Sequence, residues 1–265
     1  MAHVVTQRFR RKIHYDGAGF HGWQVQPGVR TVQGDIEGIL ERISGAHRTV
    51  LASGRTDTGV HASGQMATVD LPVSWTPRRL RRALNGLLGD DVWIESVGPV
   101  ASGFHPRYDA VARTYHYQVG LSPLAESPFH RRWCWPVGES VDLDLMAETG
   151  GRVVGDHSFR AFAKAGQEER GDRCTVHAVT WSPWRELGVT FTITANRYLH
   201  HMVRYLVGTL VDVGRGRRPA GDVDLLLLGS DPELTTSPPA PPEGLFLARV
   251  DYPDSAFATP SPPTA

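Results

Sequence analysis

The sequence predicts an α+β protein built from two similar halves, each with an antiparallel sheet. Three observations carry that reading. Apolar residues recur with strand and helix periods in alternating segments along the 265 residues, and the order of segments repeats after residue 105. No apolar run approaches the roughly 18 residues that a membrane span needs, so no membrane partner is expected. A chain of this length with 40% apolar residues and seven tryptophans can bury a sizeable core.

The elements follow in order. Residues 8–16 alternate around Phe9, Ile13 and Tyr15 and read as a strand. Thr31 is placed to cap a helix on which Val32, Ile36, Ile39, Leu40 and Ile43 share one face. Strands are expected over 48–54 and 64–70. Thr76-Pro77 opens a second helix, with Leu80, Ala83, Leu84 and Leu87 as its buried stripe. A strand over 92–97 completes β-α-β-β-α-β. The second half has a strand over 109–120, a helix over 143–153, strands over 173–181 and 188–195, helices over 198–213 and 222–228, and a strand over 245–252. This duplicated order is ferredoxin-like, or RRM-like. The expected organisation is an N-terminal half over 1–105, a C-terminal half over 106–255, and a disordered tail over 256–265 containing Pro260, Pro262 and Pro263. Pro238-Pro239-Ala240-Pro241-Pro242 reads as a stiff connection into the last strand.

Formal net charge is zero, but the positive charge is clustered. Arginines gather at Arg8-Phe9-Arg10-Arg11-Lys12, Arg78-Arg79-Leu80-Arg81-Arg82, Arg131-Arg132 and Arg215-Gly216-Arg217-Arg218. These read either as solvated faces or, beside a site, as forked phosphate contacts. Arg78, Arg79 and Arg82 lie mainly off the buried stripe of their helix and are candidate substrate-binding residues. Cys134 and Cys174 match no metal spacing. With no basic-then-apolar leader at the N-terminus, a cytoplasmic location is expected.

The chemistry concentrates in Gly54-Arg55-Thr56-Asp57-Thr58-Gly59-Val60-His61-Ala62, where one carboxylate sits among an arginine, two hydroxyls, two glycines and a histidine. An isolated Thr-Asp-Thr-Gly is more often a turn in which the aspartate bonds its own backbone. In the strand over 109–120, period two sets Val111, Arg113, Tyr115, Tyr117 and Val119 on one face. That face reads as packed under a helix, or as offering a tyrosine on which a flat base stacks. Arg204 lies in an otherwise apolar helix, where either a carboxylate partner or an edge position reaching water is expected. His200 and His201, as helix neighbours, would point about 100° apart and make poor joint ligands, so no metal is expected.

Taken together, these segments are similar to the tRNA pseudouridine synthase I family. The resemblance runs from Tyr15-Asp16-Gly17-Ala18-Gly19-Phe20-His21-Gly22-Trp23-Gln24 to Gly244-Leu245-Phe246-Leu247. Between them stand Thr31-Val32-Gln33-Gly34, the Asp57 motif, Phe104-His105-Pro106-Arg107-Tyr108-Asp109-Ala110, Arg113-Thr114-Tyr115-His116-Tyr117, Gly155-Asp156-His157-Ser158-Phe159-Arg160-Ala161-Phe162 and Leu199-His200-His201-Met202-Val203-Arg204. The resemblance implies a pseudouridine synthase fold and isomerisation of uridines 38, 39 and 40 in the tRNA anticodon stem-loop. It implies Asp57 as catalytic carboxylate, Arg204 as the arginine paired with it, Tyr115 as the active-site tyrosine against the base, and Arg55 as a holder of the flipped-out nucleotide. A homodimer, basic clefts for RNA, and no metal or organic cofactor are implied as well. The chain departs from the family at Thr58, usually Ala, at Tyr198, usually Phe, and across residues 229–243, where an Asp-Arg pair and an Ala-Gly-x-Thr-Ala-Pro segment are replaced.

Two other readings are weighed against this one. Asp57-Thr58-Gly59 is the aspartic-protease triplet, but that chemistry needs two such loops and the chain has one. A non-catalytic RNA-binding or RNA-folding protein of RRM-like fold shares the element order. Such a module has no use for Asp57, Tyr115 and Arg204 in combination.

Overall fold

The structure is a computed structural model that describes residues 5–138, 140–164 and 171–257. The first elements in the chain are β1 (Thr6–Tyr15), α1 (Val32–Ser44), β2 (Leu51–Ala52), β3 (His61–Pro72), α2 (Pro77–Asn85) and β4 (Val92–Val100). They are followed by β5 (Ala112–Gly120), β6 (Trp135–Pro136), α3 (Leu143–Gly151), β7 (Gly155–Ser158), β8 (Arg173–Trp184), β9 (Gly188–Ala195), α4 (Met202–Gly214), α5 (Asp222–Leu228) and β10 (Leu245–Asp251). The mixed α+β architecture with antiparallel sheets matches the expected class. The chain divides into two compact units, one ending at Val111 and regaining the chain from Leu247, the other spanning Ala112–Phe246.

In the first unit the strands lie in the order β4-β1-β3-β10, with β2 against β3. The alternation read around Phe9 and Ile13 is the pleat of β1, whose Phe9, Arg11, Ile13 and Tyr15 are buried while the intervening residues are not. Phe9 faces Val69 and Ile13 faces Gln65 across the antiparallel β1–β3 ladder. Both helices start where their caps predict. Thr31 accepts a hydrogen bond from the Gly34 amide and Thr76 one from the Arg79 amide, with Pro77 in the first turn of α2. Val32, Ile36 and Leu40 of α1 and Leu80 and Leu84 of α2 are fully buried. Leu87, expected on that stripe, falls beyond the end of α2 and is 41% exposed.

Arg11, read as part of a surface cluster, is fully buried. Its three guanidinium nitrogens find no hydrogen bond among the described residues. Burial lowers its pKa to about 9, and the nearby Glu37 charge offsets part of that loss. Glu37 is itself buried and accepts from Gln33 and from the Val50 amide, so a polar core lies under α1 where period alone gave an apolar stripe.

The strand over 245–252, expected to complete the second half, runs as β10 beside β3 of the first unit. Gly64 makes the approach possible, because a side chain there would collide with the Ala248 carbonyl. Beyond it Tyr252 donates to the Pro106 carbonyl, and the Phe104, Tyr252 and Phe257 rings pack together under the Arg10 guanidinium. Ala256 and Phe257, assigned to the tail, end a short 3-10 turn over Asp254–Phe257. The rest of that tail lies outside the described residues.

In the second unit the strand order is β5-β9-β8-β7, antiparallel throughout, with β6 parallel to β5. Four-residue β7 has too few positions to show a period and was not expected. The helix expected from 198 begins at Met202, because His201 adopts a left-handed backbone with φ 65°. The proline-flanked connection is packed against its surroundings. Ala240 is buried, the Pro238 carbonyl would meet any side chain at Gly208, and the Tyr117 hydroxyl donates to the Pro241 carbonyl at 2.7 Å. No described helix is long and apolar enough to cross a membrane.

Candidate active site

The segment Ser53–Val60 leaves β2 and enters β3 as a loop whose shape is imposed from beneath. Ser53 and Gln65 are fully buried. The Ser53 hydroxyl donates to the Gln65 side-chain oxygen at 2.7 Å, and the Gln65 amide donates to the Gly54 carbonyl at 2.9 Å. The Tyr15 and Thr56 hydroxyls are 2.8 Å apart. Gln65 thus holds the backbone before Arg55, and Tyr15 holds the Thr56 side chain after it. Such a dry network is rigid only because its members are satisfied.

The far side of the loop rests on the segment before α1. The Trp23 amide donates to the Thr56 carbonyl, and the Gly59 amide to the Phe20 carbonyl. Gly22 has φ 85°, and a Cβ there would lie 2.7 Å from the Thr56 carbonyl oxygen. Gly59, with φ 78°, supplies the left-handed turn that returns the chain to β3. Arg30 lies over the Phe20 ring at 4.2 Å and pairs with Asp91 and Asp35, which, Asp91 foremost, raise its pKa above the ordinary arginine value. His61 is buried at the start of β3, its Nδ1 accepting from the Gly17 amide at 3.0 Å. The result is a clamped loop carrying a half-buried Asp57, with exposed Arg55 and Thr58 beside it.

Arg78, Arg79 and Arg82 are exposed on α2 and line one open groove of about 550 Å³ with Thr76, Ala83, Gly86 and Leu87. Arg79 lies over the Trp75 ring at 4.4 Å. Arg81 differs from its neighbours: its Nε donates to the Ile94 carbonyl of β4.

In the second unit Tyr115 sits on β5 opposite Ile193 of β9. Tyr198 meets the Tyr115 ring edge-on, with centroids 4.9 Å apart and planes at 79°. The Tyr198 hydroxyl lies 2.9 Å from the Ile193 carbonyl and 3.0 Å from that of Arg113, and burial foremost raises its pKa well above 10. Tyr117, on the same face as Tyr115, is fully buried and serves packing. Arg204 stands in the first turn of α4, half-buried, and its Nε donates to the Ala240 carbonyl at 2.6 Å. His200 and His201 precede the helix, with ring centroids 4.1 Å apart, so the angular separation expected of helix neighbours does not apply to them.

The sequence reading missed Gln65, Ser53, Tyr198 as a ring support, and Ala240. A signal for the first two was available: polar residues embedded in strand-like apolar runs flanking the loop.

A family model described as tRNA pseudouridine synthase matches residues 13–109 and 152–253. The chain belongs to the tRNA pseudouridine synthase family. It is 37% identical over 256 residues to the tRNA pseudouridine synthase A of Shouchella clausii, covering 96% of this chain and 97% of that protein. Identity to the protein of the same name from Cupriavidus necator is 38% over 247 residues, covering 91% and 89%. For that of Geobacillus kaustophilus it is 38% over 258 residues, covering 96% and 97%. The Asp57 loop, the α2 arginines and Arg204 fall inside the matched segments of this pseudouridine synthase, and Tyr115 falls between them. Membership makes the chain an isomerase. Pseudouridine formation breaks the bond from ribose C1′ to uracil N1 and joins C1′ to C5, a rearrangement without redox change. The clamped loop presents one half-buried carboxylate, that of Asp57, between exposed Arg55 and Thr58.

Proposed function

We propose that the chain isomerises uridines 38, 39 and 40 of the tRNA anticodon stem-loop, with Asp57 as the catalytic carboxylate. The observation that carries the reading is the Asp57 loop itself, fixed by Gln65, Tyr15 and Gly22 while its carboxylate-bearing residue stays open to solvent on one side. At the sugar, Asp57 acts either as a nucleophile on C1′ or as a base at C2′, in the manner of the carboxylates that work at anomeric carbons. Arg204 pairs with Asp57 and orients it. Tyr115, its ring braced by Tyr198, packs on the flipped base, and Arg55 holds the extruded nucleotide. Arg78, Arg79 and Arg82 take tRNA phosphates in the groove along α2. With no electrons to transfer and a side chain to activate the sugar, the reaction calls for neither metal nor organic cofactor. The enzyme works as a cytoplasmic homodimer.

The experiment is tritium release from an anticodon stem-loop carrying [5-³H]uridine, wild type against Asp57→Ala. C5 must lose its hydrogen when it bonds to C1′. Release by the wild type alone supports the proposal. Tight tRNA binding by the wild type without release, from the stem-loop and from a whole-tRNA pool, favours a non-catalytic RNA-binding protein.

A further inference from the structure

The segment between β5 and β6 carries chemistry that the isomerisation leaves unused. Its backbone is closed upon itself. The Ser127 carbonyl accepts from the amides of His130 and Arg131 at 2.9 and 2.8 Å, and the His130 carbonyl accepts from Trp133 at 2.8 Å. The Ser127 hydroxyl accepts from the Phe129 amide, and the Cys134 thiol reaches back to the Ala125 carbonyl. Yet this ordered turn presents Phe129 to water at 81% exposure, with Leu124 nearby in sequence at 57%. Leaving a phenylalanine outside forgoes the stabilisation that burying its ring would contribute. A fixed backbone removes the entropic gain that a loose loop would offer in return.

The neighbours of the ring indicate what it meets. His130, Arg131 and Arg132 follow directly. Arg132 lies over the Trp133 ring at 4.9 Å, and Trp133 is stacked on Phe246 with planes 29° apart. Arg131 is exposed and has no ion pair among the described residues. An exposed aromatic beside basic groups is the composition of a nucleic-acid stacking platform, where the ring takes a base face and the arginine a phosphate. A second copy of the chain fits less well, since a two-fold interface centred here would set Arg131 and Arg132 against their own copies.

We infer that Phe129 and Arg131 form a tRNA contact, the ring stacking on an unpaired base other than the reacting uridine and the guanidinium holding an adjoining phosphate. The inference rests on the tRNA reading above. Its test is equilibrium binding of an unmodified tRNA transcript to the full chain over a series of salt concentrations, with sedimentation of the same samples. Phe129→Ala is expected to weaken binding about 5- to 100-fold with an unchanged salt slope, and Phe129→Tyr to bind like the wild type. Arg131→Gln is expected to flatten the slope by roughly 0.7–0.9. Wild-type affinity in Phe129→Ala overturns the inference. A shift of that variant from dimer to monomer with unchanged tRNA affinity also overturns it and reassigns the face to a second copy. A wild type that binds no tRNA overturns the underlying reading instead.

Discussion

Arg204 and Ala240 are bonded to each other twice: the Arg204 Nε donates to the Ala240 carbonyl at 2.6 Å, and the Ala240 amide donates to the Arg204 carbonyl at 2.9 Å. The proline-flanked segment around Ala240 is therefore a splint along α4, and proline stiffness keeps it extended where both bonds can form. Gly208 lets it lie close, because a Cβ there would run into the Pro238 carbonyl. Gly208→Ala is expected to push the splint off the helix, lower stability by about 1–3 kcal/mol and reduce tritium release. Urea denaturation together with the release assay checks both effects, and an unchanged midpoint would remove the splint from the account.

Asp57→Asn keeps the size and most of the hydrogen bonding of the side chain but not its charge. Turnover is expected to fall by roughly three or more orders of magnitude while tRNA affinity is retained. Single-turnover release with saturating enzyme, alongside filter binding, separates the two. Appreciable turnover in a sequence-verified preparation would contradict the assigned role.

Gln65→Leu removes the carboxamide that serves the part-buried Gly54 carbonyl and the buried Ser53 hydroxyl. Stranding those groups is expected to cost about 1–3 kcal/mol. Because the stranded carbonyl is three residues from Asp57, kcat is expected to fall more than KM rises. Equal changes in the two would mean that the network serves folding alone.

Phosphate contacts of the kind proposed for the α2 arginines act through charge, so their signature lies in salt dependence. Replacing Arg78, Arg79 and Arg82 together by glutamine is expected to weaken tRNA binding and reduce the log–log salt slope by roughly 2–3. Arg81→Gln, whose guanidinium already serves the Ile94 carbonyl, is expected to change the slope far less. Identical slopes in both variants would show that the groove does not take phosphates.

Alkaline pH should expose the two thiols. Burial raises the pKa of Cys134 and of Cys174 from the ordinary 9 to about 11. Above pH 9 the unfolded chain loses these protons while the folded chain keeps them, so unfolding releases protons and stability falls between pH 9 and 11; below pH 9 the contribution is constant. Urea midpoints across that window should decline, and decline less steeply in Cys134→Ala/Cys174→Ala. Slow reaction of the folded protein with a thiol reagent at pH 8 is the companion expectation.

Much of the framework was legible because its signals are local. A cap such as Thr31 or Thr76 acts on an amide three residues away, and the alternation of Phe9, Ile13 and Tyr15 reports a pleat that any strand must have. The loop around Asp57 was legible as a loop from its glycines, but as a site only in company with Tyr115, Arg204 and the other segments that resemble the family, since an isolated Thr-Asp-Thr-Gly is more often a structural turn. Arg11 shows where local reading stops. Its neighbours Arg10 and Lys12 suggest a basic surface, but the pleat turns Arg11 inward beneath α1, where Glu37 waits.

By itself, then, the sequence determined the order of the longer strands and the helices, without the short β6 and β7, together with the starts of α1 and α2 and the loop that carries Asp57, all through interactions within a few residues. Only the tertiary structure decided that β10 runs beside β3 through the space left at Gly64, that α4 begins after a left-handed His201, and that Gln65 and Ala240 fix the backbone near Asp57 and the side chain of Arg204. The reason is physical. Periodicity and capping depend on neighbours along the chain, whereas burial, backbone approach and the satisfaction of buried polar groups depend on residues that meet only after folding.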